Sequence, residues 1–483
     1  MDLMDTEESP INSSSSIKST PPHKSAELSL PTPPAVPLWA CFLGSLFWWV
    51  DRIGDQRRMR DRFGDVTLVR FGPLRLYFIC HPDTIQECLL TRHKDFHKSS
   101  LYYYLKLVLG QGLVTSEDEF HLRQRRMIQP AFHRERVREY GVAMVEHAAL
   151  ARDSYREGES FDLNREMMRL TLNIVGRALF GADVSADVDR VGRAMDALLK
   201  MDYIFLNPFA KLIARLPIPV NRTRKAMIAE LDDVMFRMID QHRQSGDTGD
   251  LLSMLLAARD EDDGTGMTDQ QVRDEAVTLF LAGHETTASV LTFAWHLLAL
   301  HPEEEARFHA ELDTVLQGRM PSPDDYPALQ YTRRIVAESM RLYPPAWMFA
   351  REATRDTQLG GYAVPKGTQI IVCTHVVQHD PRWQPAPETF NPDRFTDEAA
   401  AARPKFSYFP FGGGNRRCIG EGFAWMEVVL VMATIGQQWT FRHPNNKPMK
   451  LDPRVTLRPK AGLKMVAVRR SEHHLAEAQS RKG

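Results

Sequence analysis

The sequence predicts a mainly α-helical protein with a small β region, an α+β arrangement. A stretch without proline runs from about Asp269 to Leu300 and would form a helix about 48 Å long. Residues 135–245 also follow a mostly helical pattern. In the N-terminal part, Val66–Phe71 and Leu74–Cys80 flank a Gly-Pro pair and predict a strand hairpin. We therefore expect a large helical body with a small sheet.

The composition is ordinary for a soluble globular protein with a large core. Of 483 residues, 43% are apolar and 25% are charged, a length that allows about three domains or one large helical unit. The formal net charge of −1 gives no support for a nucleic-acid partner. Five cysteines without a C-x-x-C pair argue against a disulfide framework or a structural zinc site, and they suit a reducing cytosol.

Both ends of the chain differ in composition from its middle. Residues 1–37 are rich in Ser and Pro and predict a disordered tail, and residues 471–483 form a polar C-terminal tail. The acidic start lacks the basic-then-apolar order of a secretory signal. The apolar run Leu38–Val50 has about 13 residues, too few to span a bilayer. It could touch a membrane surface loosely, although packing onto the globular body is the favoured prediction.

The predicted hairpin lies between two predicted helices and is followed by a loop-rich stretch and a third helix. Asp51–Arg62 predicts an amphipathic helix ending near Gly64, and His81-Pro82-Asp83 begins another helix after the hairpin. Residues 99–119 are loop-rich and contain three consecutive tyrosines, 102–104. In the next predicted helix, His121 and Arg125 are four residues apart and so share one face.

The long helix carries polar residues where burial makes them costly. Thr268 and Gln271 form a capping-box pattern at its start, and Leu279–Leu300 is apolar on most faces. Into this run the sequence places Glu285 and Thr286. A buried carboxylate and hydroxyl must be used or paired. They either perform chemistry or, in the structural alternative, make an ion pair and a hydrogen bond to a helix carbonyl.

The stretch from Phe409 to Gly420 contains three consecutive glycines followed closely by Cys418. Glycines allow positive φ and a close approach to a flat ligand. The apolar run Phe423–Ile435 predicts a buried helix, so Cys418 lies just before a helix N-terminus. Unpaired N–H groups and the helix dipole there favour a thiolate. An inert buried cysteine beside a turn is the alternative.

The pattern Phe411-x-x-Gly414-x-Arg416-x-Cys418-x-Gly420 resembles the haem-binding signature of the cytochrome P-450 superfamily. The resemblance extends roughly from Leu38 to Arg469 and implies one haem domain over residues 38–470. Its fold would be a triangular helical prism around a buried haem b, with Cys418 as the axial ligand of the iron. The resemblance is to soluble, bacterial-type members, which implies a cytoplasmic protein.

The same resemblance assigns roles around the haem. Ala282-Gly283-His284-Glu285-Thr286 matches the family's A-G-x-[DE]-T pattern, in which the threonine supports dioxygen through a hydrogen bond and the acid relays protons. Residues implied for haem binding are His121, Arg125, Arg351, Arg416, Phe411, Gly412 and Ala282. A structural ion-pair network is implied for Glu338, Arg341 and Arg394. Substrate-pocket candidates are Ala282, Ala346, Met348, Leu457 and Tyr103, and the apolar segment 201–219 would be a lid over the channel.

The resemblance implies a haem-thiolate monooxygenase that inserts one atom of O₂ into a C–H bond of an apolar substrate. Electrons would come from NAD(P)H through a separate ferredoxin- or flavodoxin-type donor that docks on Arg123, Arg126 and Arg417, and the protein would be a monomer. Oxidative coupling, desaturation or peroxide-driven oxidation is one alternative, and a non-catalytic haem sensor is another. Fatty acids, terpenoids and other natural products remain open as substrates, with fatty acids slightly favoured and the tyrosines at 102–104 as candidate carboxylate anchors.

Overall fold

A computed structural model describes residues 30–37, 51–181, 213–246, 249–445 and 449–470. The predicted class is confirmed, because helices dominate and the strands form small sheets. The α-helices of the described residues, numbered in chain order, are α1 Arg52–Phe63, α2 Pro82–Gln86, α3 Tyr103–Leu109, α4 Asp118–Ile128, α5 Arg134–Ser154, α6 Leu163–Phe180, α7 Pro219–Ser245, α8 Leu251–Ala257, α9 Asp269–Leu300, α10 Pro302–Leu316, α11 Gln330–Leu342, α12 Thr374–Gln378, α13 Asp397–Ala401 and α14 Glu421–Gly436.

The largest sheet of the described chain has five strands in the order β1-β2-β8-β5-β3, with only the β2–β8 pair parallel. A three-stranded sheet has the order β4-β12-β9, and β6–β7 and β10–β11 are separate hairpins. The strands are β1 Val66–Phe71, β2 Leu74–Ile79, β3 Phe96–Lys98, β4 Ser160–Asp162, β5 Phe349–Ala353, β6 Thr357–Leu359, β7 Tyr362–Val364, β8 Gln369–Val372, β9 Trp439–Arg442, β10 Leu451–Pro453, β11 Leu457–Pro459 and β12 Lys464–Arg469.

Helix α9 is the central element of the helical body. It begins and ends where the sequence predicts, and Thr268 and Gln271 form both hydrogen bonds of the capping box. The helix packs against α6, α7, α11 and α14, and most of its side chains from Val272 to Leu298 are buried. Tertiary packing over most of its surface explains why an apolar segment of this length stays helical.

The boundary of the predicted N-terminal tail is wrong. Residues 31–36 already pair with the sheet, since Val36 N–H donates to Leu68 O at 2.9 Å and Leu68 N–H donates to Pro34 O at 2.9 Å. Farther out, Ala363 N–H donates to Pro31 O at 3.0 Å. Proline lacks only the donor, so prolines that offer carbonyls can cover the edge of β1.

Within the described part of the chain, no helix is long and apolar enough to cross a membrane. The apolar run of residues 38–50, for which the sequence favours packing onto the globular body over loose contact with a membrane, lies outside the described residues, as do residues 471–483. The predicted lid also lies there for its residues 201–212, and its last residue, Pro219, begins α7.

Candidate active site

A cavity of about 360 Å³ separates one face of α9 from the loop that carries Cys418. The α9 face contributes residues at helical spacing, and the loop contributes Phe409 to Gly420 with few gaps. The α9 residues that line the cavity are Thr278, Leu279, Ala282, Gly283, Thr286, Thr287 and Val290. Thr286 and Cys418, distant in sequence, therefore border one space, as predicted.

The glycines before Cys418 are needed for the shape of this loop. Gly412 and Gly414 have φ of 74° and 69°, in the left-handed region that favours glycine. A Cβ at Gly414 would lie 2.2 Å from Leu89 O, and one at Gly413 would lie 2.7 Å from the Phe406 ring. The loop closes through Cys418 N–H, which donates to Phe411 O at 3.0 Å. Its sequence thus fixes where the sulfur emerges.

Cys418 presents its sulfur to the cavity, three residues before α14 begins. Burial of the thiol raises its pKa to about 11, although the Gly420 backbone N–H and the charge of Arg125 act in the opposite direction. The backbone N–H at the start of the helix therefore favours the thiolate, as expected, but desolvation of the free thiol is the larger effect. A coordinating metal cation would deprotonate this thiol outright.

The four predicted propionate donors lie together. His121, Arg125, Arg351 and Arg416 all line the cavity, although they come from α4, β5 and the cysteine loop. His121 is 2% exposed, and its Nε2 has no hydrogen-bond partner. Burial, aided by the charges of Arg416, Lys98 and Arg125, lowers the pKa of His121 to about 3, so the ring is neutral. A neutral imidazole can donate one hydrogen bond to a carboxylate.

Lys98 is a fifth basic residue of this wall, and sequence reasoning missed it. Burial lowers its pKa well below the ordinary value, and the charges of Arg351 and Arg416 add to the effect. Its position in a short edge strand, β3, gave no signal in the sequence. A wall of crowded cations with an orphaned histidine nitrogen fits a ligand that carries carboxylates. Together with the glycine loop and an available thiol sulfur, it fits the implied haem.

Thr286 and Glu285 adopt the structural alternatives considered from the sequence. Thr286 borders the cavity, but its Oγ1 donates to Ala282 O at 2.6 Å. Glu285 is buried and does not line the cavity as the structure describes it. Its Oε1 accepts a hydrogen bond from Thr456 at 2.5 Å and lies 3.9 Å from Arg458 Nη1. A role of Glu285 in proton relay stays a prediction and requires its side chain to turn.

A second buried acid, Glu427 in α14, was also missed by sequence reasoning. Its side chain is fully buried, and burial raises its pKa well above the ordinary value while the Thr287 hydroxyl opposes the shift. Thr287 itself lines the cavity and donates to Gly283 O at 2.5 Å. The available signal was a single Glu inside the apolar run that forms α14. Burial therefore favours the neutral form of a carboxylic acid that lies next to Thr287.

The substrate-pocket predictions divide into two groups. Ala282 and Ala346 line the cavity as expected. Met348 instead packs beside β5, where its sulfur accepts a hydrogen bond from Gln56 Nε2 at 3.2 Å. Leu457 is fully buried in a separate apolar cluster that includes Trp347. Neither residue lines the described cavity, so the structure does not support their assignment to the substrate pocket. The sequence does not say which side of a strand, or of the loop before it, meets the cavity.

The tyrosines of residues 102–104 are not placed as carboxylate anchors. Tyr103 packs edge-on against Tyr104 at 6.2 Å between ring centroids and does not line the described cavity. The Tyr102 hydroxyl accepts a hydrogen bond from Ala350 N–H at 2.7 Å. The cavity near this segment is bordered by Leu113 and Val114. The substrate side of the wall is thus mostly apolar, and the preference for fatty acids loses its candidate anchors.

The predicted ion-pair network is formed, with Glu338 and Arg341 fully buried and Arg394 partly buried. Arg341 Nε and Nη2 donate to the two Glu338 oxygens at 2.6 and 2.8 Å, and Arg394 Nε donates to Glu338 at 3.3 Å. Arg341 also donates to the backbone carbonyls of Gln378 and Pro387. None of its members lines the described cavity, which agrees with a structural role.

The three arginines proposed as a docking face are paired with carboxylates. The Nε of Arg123 lies 3.2 Å from Asp260, and Arg126 lies 2.7 Å from Asp262. Arg417 pairs with Glu421 at 2.6 Å. Their positive charges are therefore largely compensated within the chain.

Comparisons with known proteins agree with this geometry. The family model described as "Cytochrome P450" matches residues 33–466. "Cyclooctatin synthase" of Streptomyces melanosporofaciens is 38% identical over 82% of this chain and 86% of its own, and "Cyclooctat-9-en-7-ol 5-monooxygenase" of the same organism is 39% identical over 78% and 83%. "Pentalenene oxygenase" of Streptomyces avermitilis is 36% identical over 84% and 87%. The solved "cytochrome P450DA heme domain" superposes with a TM-score of 0.79 at 25% identity, covering 92% of this chain and 98% of that one.

Proposed function

The chain belongs to the cytochrome P450 family and is a monooxygenase, and we propose that it inserts oxygen into a C–H bond of an apolar terpenoid. The observation that carries the proposal is the cavity shared by Cys418 and Thr286, whose remaining α9 lining is largely apolar. The names of the three relatives, which include a pentalenene oxygenase, favour a terpenoid over a fatty acid. A hydrocarbon skeleton without a carboxylate also suits a cavity whose tyrosine neighbours are already engaged.

Haem, when bound, would supply dioxygen activation and C–H oxidation, with the thiolate contributing electron density for O–O cleavage. In this proposal the Cys418 thiolate would hold the iron. His121, Arg125, Arg351 and Arg416 hold the carboxylates of the cofactor, each from the wall that it already lines. Phe411, Gly412 and Ala282 border the ring, since their small or flat side chains allow close approach.

In this scheme the Thr286 hydroxyl donates the proton that the oxidation requires. Its hydroxyl turns from Ala282 O toward the cavity and donates a hydrogen bond there, and its oxygen can accept a replacement proton. Glu285 would supply that proton after leaving Thr456. Electrons would come from NAD(P)H through a separate ferredoxin- or flavodoxin-type donor. Its contact surface would lie elsewhere than on Arg123, Arg126 and Arg417, because those charges are compensated.

Optical titration of the purified ferric protein tests the substrate class. We expect a saturable low-to-high-spin shift of the Soret band with cyclic sesquiterpenes and diterpenes, because an apolar ligand displaces water from the iron side of the cavity. A panel of fatty acids of increasing length should give weaker shifts. Turnover with a surrogate ferredoxin system should then give a hydroxylated product, whereas a desaturated or coupled product would favour those reactions. Shifts with fatty acids alone would contradict the terpenoid proposal.

A further inference from the structure

Glu117 holds a position among the basic residues that the proposed function leaves unexplained. It directly precedes α4, and its carboxylate pairs with Arg416 Nη2. Arg416 Nη1 donates to Ser116 O at 2.8 Å, and Lys98 N–H donates to Glu117 Oε1 at 2.5 Å. The pair is mostly buried, with side-chain exposures of 12% for Arg416 and 24% for Glu117. Glu117 therefore fixes the orientation of a guanidinium assigned to the cofactor.

Arg416 and Glu117 differ in the spaces that they border. Arg416 borders the inner cavity and also an outer cleft of about 390 Å³, whereas Glu117 borders only the outer cleft of these two spaces. Lys98 lines the inner cavity, and Arg351 and His121 border both. The Arg416 guanidinium can thus contact two partners at once: the Glu117 carboxylate at the outer cleft, and a ligand in the inner cavity.

The charged groups around Arg416 indicate how its pairing with Glu117 affects the attraction of the guanidinium for a carboxylate in the cavity. Burial lowers the pKa of the Lys98 ammonium, the nearby charges of Arg351 and Arg416 add to this effect, and the Glu117 carboxylate opposes it. The next residue, Asp118, is paired with His97 at 2.7 Å and lies farther out on the exposed side. A guanidinium already bonded to one carboxylate attracts a second one less strongly than a free guanidinium does.

We propose that Glu117 is a positioning residue that acts through Arg416 to weaken the hold on the haem carboxylates and to make the reduction potential of the iron more negative. The inference rests on the proposed haem site. Its physical basis is that an added negative charge close to the cofactor favours the oxidised, more positive iron over the reduced one. Glu117 also keeps Arg416 at the cavity wall. Removal of its side chain would therefore change both the local charge and the orientation of the Arg416 guanidinium.

The variant Glu117→Gln separates these two effects, because the amide oxygen can still accept from Lys98 N–H while the charge is lost. We expect the iron potential to become more positive. We also expect haem transfer to an apo-globin acceptor to slow by about threefold or more. Glu117→Asp should restore the wild-type potential, since it restores the charge. An unchanged or more negative potential in Glu117→Gln would overturn the proposal.

Glu139→Gln is the matched control. It removes the same charge from a pair with Arg136 in which both side chains are exposed, at 61% and 40%. A potential shift equal to that of Glu117→Gln would show that net charge alone is responsible and would also overturn the proposal. Neither readout requires a substrate or turnover, so failure here leaves the terpenoid proposal intact. Failure of the haem site itself would appear as a protein without a thiolate-type spectrum.

Discussion

Single residues decide which polar groups of the cavity are available for chemistry. Along α9, Thr286, Thr287 and Thr292 each return a hydrogen bond to the carbonyl four residues earlier. Thr286 differs from Thr292 in bordering the cavity. The Thr286 hydroxyl therefore has space into which it can turn, whereas the Thr292 side chain is fully buried and does not border this cavity.

Replacing Thr286 by Ala should uncouple electron use from product formation. The variant removes the hydroxyl that would donate into the cavity, so we expect about tenfold less product per NAD(P)H consumed. Hydrogen peroxide should appear in its place, as measured with a peroxidase-linked dye. Thr286→Ser should recover most of the coupling, and Thr292→Ala should leave it unchanged. Full coupling in Thr286→Ala would contradict the assigned role.

At the scale of elements, helix α9 connects two parts of the cavity wall. One is the segment 108–113, which forms its roof, and the other is the α9 face that carries Thr286. Three consecutive residues in its second turn hold the segment 108–113. Arg273 Nη1 donates to Val108 O at 2.9 Å, Gln111 N–H donates to Asp274 Oδ2 at 2.8 Å, and Leu113 N–H donates to Glu275 Oε2 at 2.9 Å. This roof clamp positions Leu113 against the cavity.

The roof clamp should weaken as pH rises. Burial, with a contribution from Asp274, raises the pKa of Glu275 from 4.5 to about 8, so the closed clamp binds a proton that an open one releases. Its stability is therefore fully present below pH 4.5 and is lost progressively up to about pH 8. Hydrogen-exchange protection of the Leu113 amide should fall across the upper part of this range.

Glu275→Gln should abolish that pH dependence, since the amide keeps the acceptor and does not ionise. The neighbouring charges of Arg273, Asp274 and Asp232 remain paired in this variant. Persistence of the same pH dependence in Glu275→Gln would assign it to another group.

Sequence reasoning succeeded at this scale where signals are local. The bounds of α9 follow from the Thr268 capping box and from the absence of proline before Pro302. Pairing of residues 31–36 with β1, by contrast, depends on a strand edge that becomes available only after folding. The faces of Met348 and Leu457 depend on strand orientation in the same way. The roles of Glu117 and Lys98 could not be predicted from the sequence, because they depend on proximity to Arg416, which is about 300 residues away along the chain.

At the scale of the whole molecule, the buried network of Glu338, Arg341 and Arg394 joins α11 to the long loop that precedes the cysteine segment. Arg341 bridges a carboxylate and carbonyls of Gln378 and Pro387, so one side chain ties together parts far apart in sequence. Loss of one charged partner in such a place leaves the other charge buried and uncompensated.

Arg341→Ala should lower the free energy of unfolding by about 3–5 kcal/mol. The reason is the uncompensated Glu338 carboxylate together with unpaired carbonyls. Denaturant unfolding followed by circular dichroism measures the effect. Arg138→Ala is the matched control, because both side chains of its pair with Asp324 are exposed, at 60% and 65%, and its loss should change stability by about 1 kcal/mol or less. Equal losses in both variants would contradict a special role of the network.

The spacing of residues along α9 also limits how such a protein can change during evolution. The roof clamp, the apolar wall and Thr286 lie on one helix, and each added residue rotates the C-terminal remainder of that helix by about 100°. An insertion or deletion between Glu275 and Thr286 would therefore rotate the oxygen-side hydroxyl away from the space that the clamp closes. Substitutions on this face can reshape the cavity for new substrates, whereas changes in its length would separate the two ends of the site.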